Sequence, residues 1–203
     1  MFFQLAFAAA MSFPAASLPV TQNDLIQVDY ILPAERVVVY PPEGVVRRVT
    51  NSALSVPAQA VFDTEFVTAT YYGAFATTKD GGWGFSVGAN SLDGAREIAM
   101  QQCLTENARC LITAELVPVG YVAIGPGDVT IAPEVVGHYT DVTTSIAPFA
   151  MAVSADGAYS KVWGMPSQAV ADDTALSDCE GYRMSDLPNL PPLPCVLLPR
   201  PSK

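Results

Sequence analysis

The sequence predicts an α+β protein built from two tandem ββα(β) repeats, mainly antiparallel sheet with one helix per repeat, preceded by an extended N-terminal arm. Three observations predict it. The chain resembles itself at an offset of 76 residues, so that Gly73–Cys103 lies on Phe149–Cys179 without a gap. Each copy carries an Asp-Gly pair between strand-like segments, at Asp80-Gly81 and Asp156-Gly157. Each copy then places a serine, Ser91 or Ser167, before a segment with alanines four residues apart that ends in cysteine. The other identities are Ala74/Ala150, Ala76/Ala152, Gly88/Gly164, Ala95/Ala171, Ala99/Ala175 and Cys103/Cys179, positions that belong to turns, a helix face and a cysteine.

Taken in chain order, residues 1–17 (MFFQLAFAAAMSFPAAS) read as a signal peptide: an apolar run, then small residues, with Ala15 and Ser17 placed for cleavage after Ser17. The run is too short and interrupted for a membrane span. Residues 18–60 form the arm, in which LIQVDYIL, RVVVY and GVVRRVT read as short strands broken by Pro41-Pro42 and Gly44. Repeat 1 covers 61–124, entered through VFDTEFVTATYY, which alternates in places. Residues 125–146 link the repeats; GPG marks a turn with strand-like flanks, and VVGHYTDV reads as a strand carrying the single histidine, His138. Repeat 2 covers 147–203 and ends in a proline-dense tail suited to an edge strand around Cys195.

Within each copy the Asp-Gly pair predicts a type I′ hairpin turn between GAFATT and WGFSVG, or between FAMAVS and YSKVWG. The helix of the first copy aligns Leu92, Ala95, Ile98, Ala99, Gln102 and Cys103 near one face, and that of the second Ala171, Ala175 and Cys179. A third strand follows each helix, opened by a cysteine in CLITAELV and CVLLP.

Gly84-Phe85-Ser86-Val87-Gly88 matches G-x-S-x-G, the elbow of many serine hydrolases. An elbow serine must sit in the strand-to-helix turn. Ser86 falls earlier, on the second hairpin strand, and Val162 stands at its place in the other copy. Its only possible histidine base is His138. The three lysines, Lys79, Lys161 and Lys203, lack the apolar surroundings of a Schiff-base lysine.

The cysteines are Cys103, Cys110, Cys179 and Cys195. Their spacings do not match a zinc site. Of the three possible connectivities, the repeat favours Cys103–Cys110 and Cys179–Cys195, each stapling a helix to the strand after it.

The stretches AFATTKDGGWGFSVGANSLDGAREIAMQQC, with Cys110, and AMAVSADGAYSKVWGMPSQAVADDTALSDC, with Cys195, resemble a bacterial domain-of-unknown-function family of small exported, disulfide-bonded proteins. The resemblance covers about 30 residues of each copy. It implies export, disulfide bonding and no catalytic residues. Some members of that family act as periplasmic immunity or inhibitor proteins against cell-wall-degrading effectors. Two copies in one chain and a long N-terminal arm depart from its usual form.

Half of the 203 residues are hydrophobic and 15% are charged, so the chain can bury a core. Asp and Glu number 20 against 10 Lys and Arg, a net charge of −10. Such a surface repels phosphate backbones and suits a basic partner. The sequence therefore predicts a non-catalytic exported binding protein of the bacterial envelope, periplasmic or secreted, with a basic envelope or secreted partner; the resemblance implies that it acts as an inhibitor or immunity-type protein for that partner. It predicts no nucleic acid, no stable membrane insertion after signal cleavage, no cofactor and no metal. Trp83, Tyr159 and Trp163 form the candidate binding surface. The alternative is a serine hydrolase or esterase using Ser86 and His138.

Overall fold

The computed structural model describes residues 34–184, 187, 190, 191 and 193–200. The signal peptide with its cleavage after Ser17, and the segment LIQVDYIL, lie outside the described residues. Those that are described belong to one unit, Ile31–Lys203. It is α+β, with four α-helices and sheets that are antiparallel apart from one pair.

The larger sheet has the order β2-β5-β3-β4, from β2 (Gly44–Arg48), β3 (Tyr72–Thr77), β4 (Trp83–Ala89) and β5 (Leu111–Pro118), all antiparallel. Helix α2 (Leu92–Glu106) links β4 to β5 and packs on one face. The Ser91 hydroxyl accepts from the Gly94 amide at its N-terminus, satisfying one of the free donors of the first turn. Leu92, Ala95, Ile98, Ala99 and Cys103 are its buried face. The alanines let it lie close: a Cβ on Gly84 would sit 2.3 Å from the Cys103 backbone nitrogen.

The opposite face is covered by α1 (Val56–Val61), which runs into a π-helical turn, Phe62–Phe66. Residues 56–60, expected as part of the extended arm, and the first half of 61–72, expected as a partly alternating lead-in, are helix instead. Ala58, Phe62 and Phe66 recur every fourth residue, and all three are buried. Phe62 and Phe66 meet Phe75 of β3 edge-on, with ring centroids 5.3 and 5.4 Å away. Helices on both faces explain why every residue of β3 is buried and its sequence does not alternate.

The smaller sheet has the order β8-β7-β9, from β7 (Ala150–Val153), β8 (Tyr159–Val162) and β9 (Val196–Leu197), again antiparallel. Helix α4 (Gln168–Tyr182) packs on it, with Ser167 accepting from the Val170 amide. Ala150, Ala152, Val162, Ala171, Ala175, Cys179 and Cys195 make its core. In each sheet the first hairpin strand lies between its partner and the strand that follows the helix.

Both hairpin turns differ from the expected type I′. Only Gly81 (φ 92°) and Gly157 (φ 104°) take positive φ; Asp80 and Asp156 do not. The Gly81 amide donates to Thr78 O (3.5 Å) and the Gly157 amide to Ser154 O (3.2 Å). The Thr78 amide donates to Gly82 O and the Ser154 amide to Ala158 O, both at 2.9 Å. That is a type I turn followed by a glycine in the left-handed region, the three-residue loop that needs one positive φ instead of two.

The segment 125–146, expected as strands, holds one short strand and a helix. β6 (Asp128–Thr130) pairs in parallel with β1 (Arg36–Val38), clamped by Arg36 donating to Asp128 at 2.6 Å. Helix α3 (Pro133–Thr143) then contains His138, so the strand reading of VVGHYTDV is corrected. Pro133 at the helix start fixes φ without losing an intrahelical bond, and Val135, Tyr139 and Val142 pack inward at four- and three-residue spacing. That packing overrides the β-branched composition.

Candidate functional site

The two sheets meet at Asn90, in the short link between β4 and α2. It is 2% exposed. Its backbone amide donates to Ala155 O (3.1 Å) and its side-chain Nδ2 to Ser154 O (2.9 Å), both in the β7–β8 turn. Its Oδ1 accepts from the Ala132 amide (2.7 Å), and its carbonyl accepts from the Thr130 hydroxyl. Four polar groups of one residue thus tie β4, the β6–α3 link and the second hairpin together. A small cavity of about 170 Å³ beside it is lined by Asn90, Ile124, Val129, Ser154 and Val196. Pro166 stands 76 residues on from Asn90, so the sequence repeat gave no sign of this junction.

Below Asn90 lie Tyr71 and Tyr72, both buried. Their phenols are pushed well above the ordinary range, chiefly by burial; the Thr130 hydroxyl beside them offsets only part of that. Thr130 directs its proton to the Asn90 carbonyl, and the Tyr71 hydroxyl has no hydrogen-bond partner among the described residues.

Ser86 is on β4, 8% exposed, and its hydroxyl donates to the Ala95 carbonyl at 2.6 Å. It fastens α2 to the strand. His138 sits on α3, stacked on Tyr159 with ring centroids 5.0 Å apart. Its Nδ1 lies 3.0 Å from the Lys161 ammonium, which also reaches Asp141 at 3.5 Å. An ammonium only donates, so Nδ1 is the acceptor and the ring proton is on Nε2. Among the described residues no hydrogen bond joins Ser86 to His138; the Ser86 hydroxyl is spent on α2 and His138 Nδ1 on Lys161 of β8.

The candidate aromatic residues are also dispersed. Trp83 is half-buried beside Phe75 and Phe85, with ring centroids 6.0 and 5.9 Å away. Tyr159 is half-buried beneath His138. Trp163, after β8, is 52% exposed next to Ile146, whose carbonyl accepts from the Gly164 amide. The sulfurs are bonded as Cys103–Cys110 and Cys179–Cys195, each joining the end of a helix to the start of the next strand.

Two grooves run between a hairpin strand and the helix after it. One, about 520 Å³, follows β4 and is lined by Trp83, Gly84, Gln102 and Glu106, with Pro57 and Leu187 entering from elsewhere in the chain. The other, about 490 Å³, follows β8 and is lined by Gly157, Tyr159, Lys161, Asp178 and Tyr182. Tyr159, a member of the candidate binding surface, thus shares a groove with Asp178 of α4, a placement that only the fold reveals.

Compared with family models, with curated proteins and with solved structures, the chain matches none.

Proposed function

We propose that this is a non-catalytic, exported binding protein of the bacterial envelope, assembled by duplication of a ββαβ unit and acting on a basic partner. The observation that carries it is the position of Ser86: the one side chain in a nucleophile motif is buried and bonded to a helix carbonyl 2.6 Å away. The only histidine in the sequence is engaged by Tyr159 and Lys161. Duplication is supported by the matching element order, turn geometry and serine caps in the two halves. Export is supported by the two disulfides, which form and persist in oxidising compartments. No helix among the described residues is long and apolar enough to cross a membrane. The charge of −10 supports a basic partner, met through electrostatic steering. An immunity or inhibitor role against a basic lytic enzyme is the form of this reading that the family resemblance favours.

Affinity capture from envelope extract at low and high salt tests it. A stoichiometric basic protein retained at low salt and released at high salt is the expected result. Turnover of an ester substrate by the purified protein, abolished by Ser86→Ala, would replace this reading with the hydrolase.

A further inference from the structure

The outward edge of β8 differs from the corresponding edge of β4. Backbone groups along an antiparallel strand alternate between facing the partner strand and facing away. In the first hairpin the Thr78–Gly82 bond sets the phase: Phe85, paired with Phe75, faces away from β3. Its amide is met there by Gln102 Oε1 of α2, at 3.2 Å. In the second hairpin the Ser154–Ala158 bond sets the same phase, so the backbone groups of Tyr159 and Lys161 face away from β7. The residue placed as Gln102 is here Asp178, whose side chain is one methylene shorter, and it makes no hydrogen bond or ion pair among the described residues. The β4 groove is also entered by Pro57 and Leu187, whereas among the described residues only the hairpin and α4 line the β8 groove.

We propose that the β8 edge is a binding site for an extended, basic segment of a partner protein, which adds to the sheet as a fourth strand. The proposal rests on the binding reading above and gives it a surface. The amides and carbonyls of Tyr159 and Lys161 supply the main-chain ladder, as in other cases of strand addition. Asp178 supplies a carboxylate for a Lys or Arg on the incoming strand, and the Tyr182 ring, on a residue 72% exposed, supplies apolar surface. The Lys161 ammonium does not oppose a cation at the groove, because it is held on the α3 side by His138 and Asp141. A second copy of the chain is disfavoured as the occupant, since each copy carries a charge of −10.

The test uses the full mature chain and an end-blocked hexapeptide of alternating lysine and valine. Amide spectra recorded during titration should move at 157–162 and 178–182, and exchange at Tyr159 and Lys161 should slow at least about tenfold. Asp178→Lys should weaken binding about fivefold or more, the scale of an exposed ion pair reversed. Lys161→Pro, which removes one outward amide, should abolish binding, while Lys161→Ala, which keeps it, should not. A footprint elsewhere, undiminished binding by a folded Lys161→Pro chain, or Tyr159 and Lys161 amides already protected in the free protein would overturn the proposal. If Lys161→Pro does not fold, the wild-type footprint decides. A natural partner captured equally by wild type and Lys161→Pro would remove the β8 site and leave the binding reading intact. Failure of the wild type to capture any partner would count against that reading, while the peptide footprint would still judge the edge.

Discussion

Gly84 and Cys103 touch backbone to backbone. A Cβ on Gly84 would lie 2.3 Å from the Cys103 nitrogen and 2.8 Å from the Ala99 carbonyl oxygen, atoms that cannot rotate aside. The same cysteine is bonded to Cys110 at the start of β5, so α2 is held against the sheet from both sides.

Gly84→Ala is therefore expected to destabilise the protein by about 1–3 kcal/mol, the usual scale of overpacking. Gly137 is the contrast. It is an exposed interior residue of α3 with ordinary φ and open space around its Cβ position. Gly137→Ala should stabilise by about 0.5–1 kcal/mol through helix propensity. Urea unfolding of both variants checks the pair, and equal effects would refute the close approach at Gly84.

Asn90→Ala should destabilise more than its small loss of volume implies. Truncation leaves Ser154 O and the Ala132 amide without their side-chain partner in a buried site. The Ala132 amide is then an orphan, which costs about 1–3 kcal/mol, while Ser154 O keeps only the Gly157 amide. Thermal unfolding should show the loss, and hydrogen exchange should rise at both Ser154–Ala155 and Thr130–Ala132. A rise confined to residues beside Asn90 would mean that the residue does not join the two sheets.

The features legible in the sequence were those fixed by local chemistry. A serine before a helical pattern specifies a cap, and Ser91 and Ser167 both cap. A cysteine after each helix and another before each following strand specify a staple, and both pairs are bonded. The turn type was less legible, because Asp-Gly also fits a loop with a single positive φ, and the choice depends on strand register beyond the dipeptide. Helix α3 was missed because Val135, Val136, Thr140 and Val142 have strand propensity, although Pro133 and the inward spacing of Val135, Tyr139 and Val142 carried the helical signal. The Asn90 junction could not be read from one copy of a repeat. It ties Asn90 to Thr130, Ala132 and Ser154, segments 40 to 64 residues away, and the repeat carries no information about contacts between its halves.

Removal of the disulfides should act unequally. By chain entropy, a separation of 7 residues for Cys103–Cys110 gives about 2.5 kcal/mol and one of 16 for Cys179–Cys195 about 3 kcal/mol. The second bond also secures β9, a two-residue strand, to a sheet whose core is largely alanine. The double replacement of Cys179 and Cys195 by Ala should therefore admit protease first between 184 and 200, with the larger sheet still intact. The corresponding double replacement at Cys103 and Cys110 should lower global stability without that local cleavage. Indistinguishable digests would refute the difference.

Alkaline titration should separate Tyr71 and Tyr72 from the other phenols. Burial raises both above the ordinary value, so the folded state keeps these protons at a pH where the unfolded chain has lost them. The unfolded state then binds fewer protons, and stability must fall as pH rises past about 10, the unfolded phenol value. Below that pH the two groups are neutral in both states and contribute no pH dependence. Of the eight tyrosines, Tyr139 is also raised by burial and should ionise late, while Tyr71 and Tyr72 should fail to ionise near pH 10 in ultraviolet absorbance and appear only in the step where circular dichroism reports unfolding. Tyr71→Phe should leave one such phenol and preserve stability at neutral pH, because the lost hydroxyl has no hydrogen-bond partner among the described residues. Smooth ionisation of all eight phenols in the folded protein would show that these two are not shielded from water.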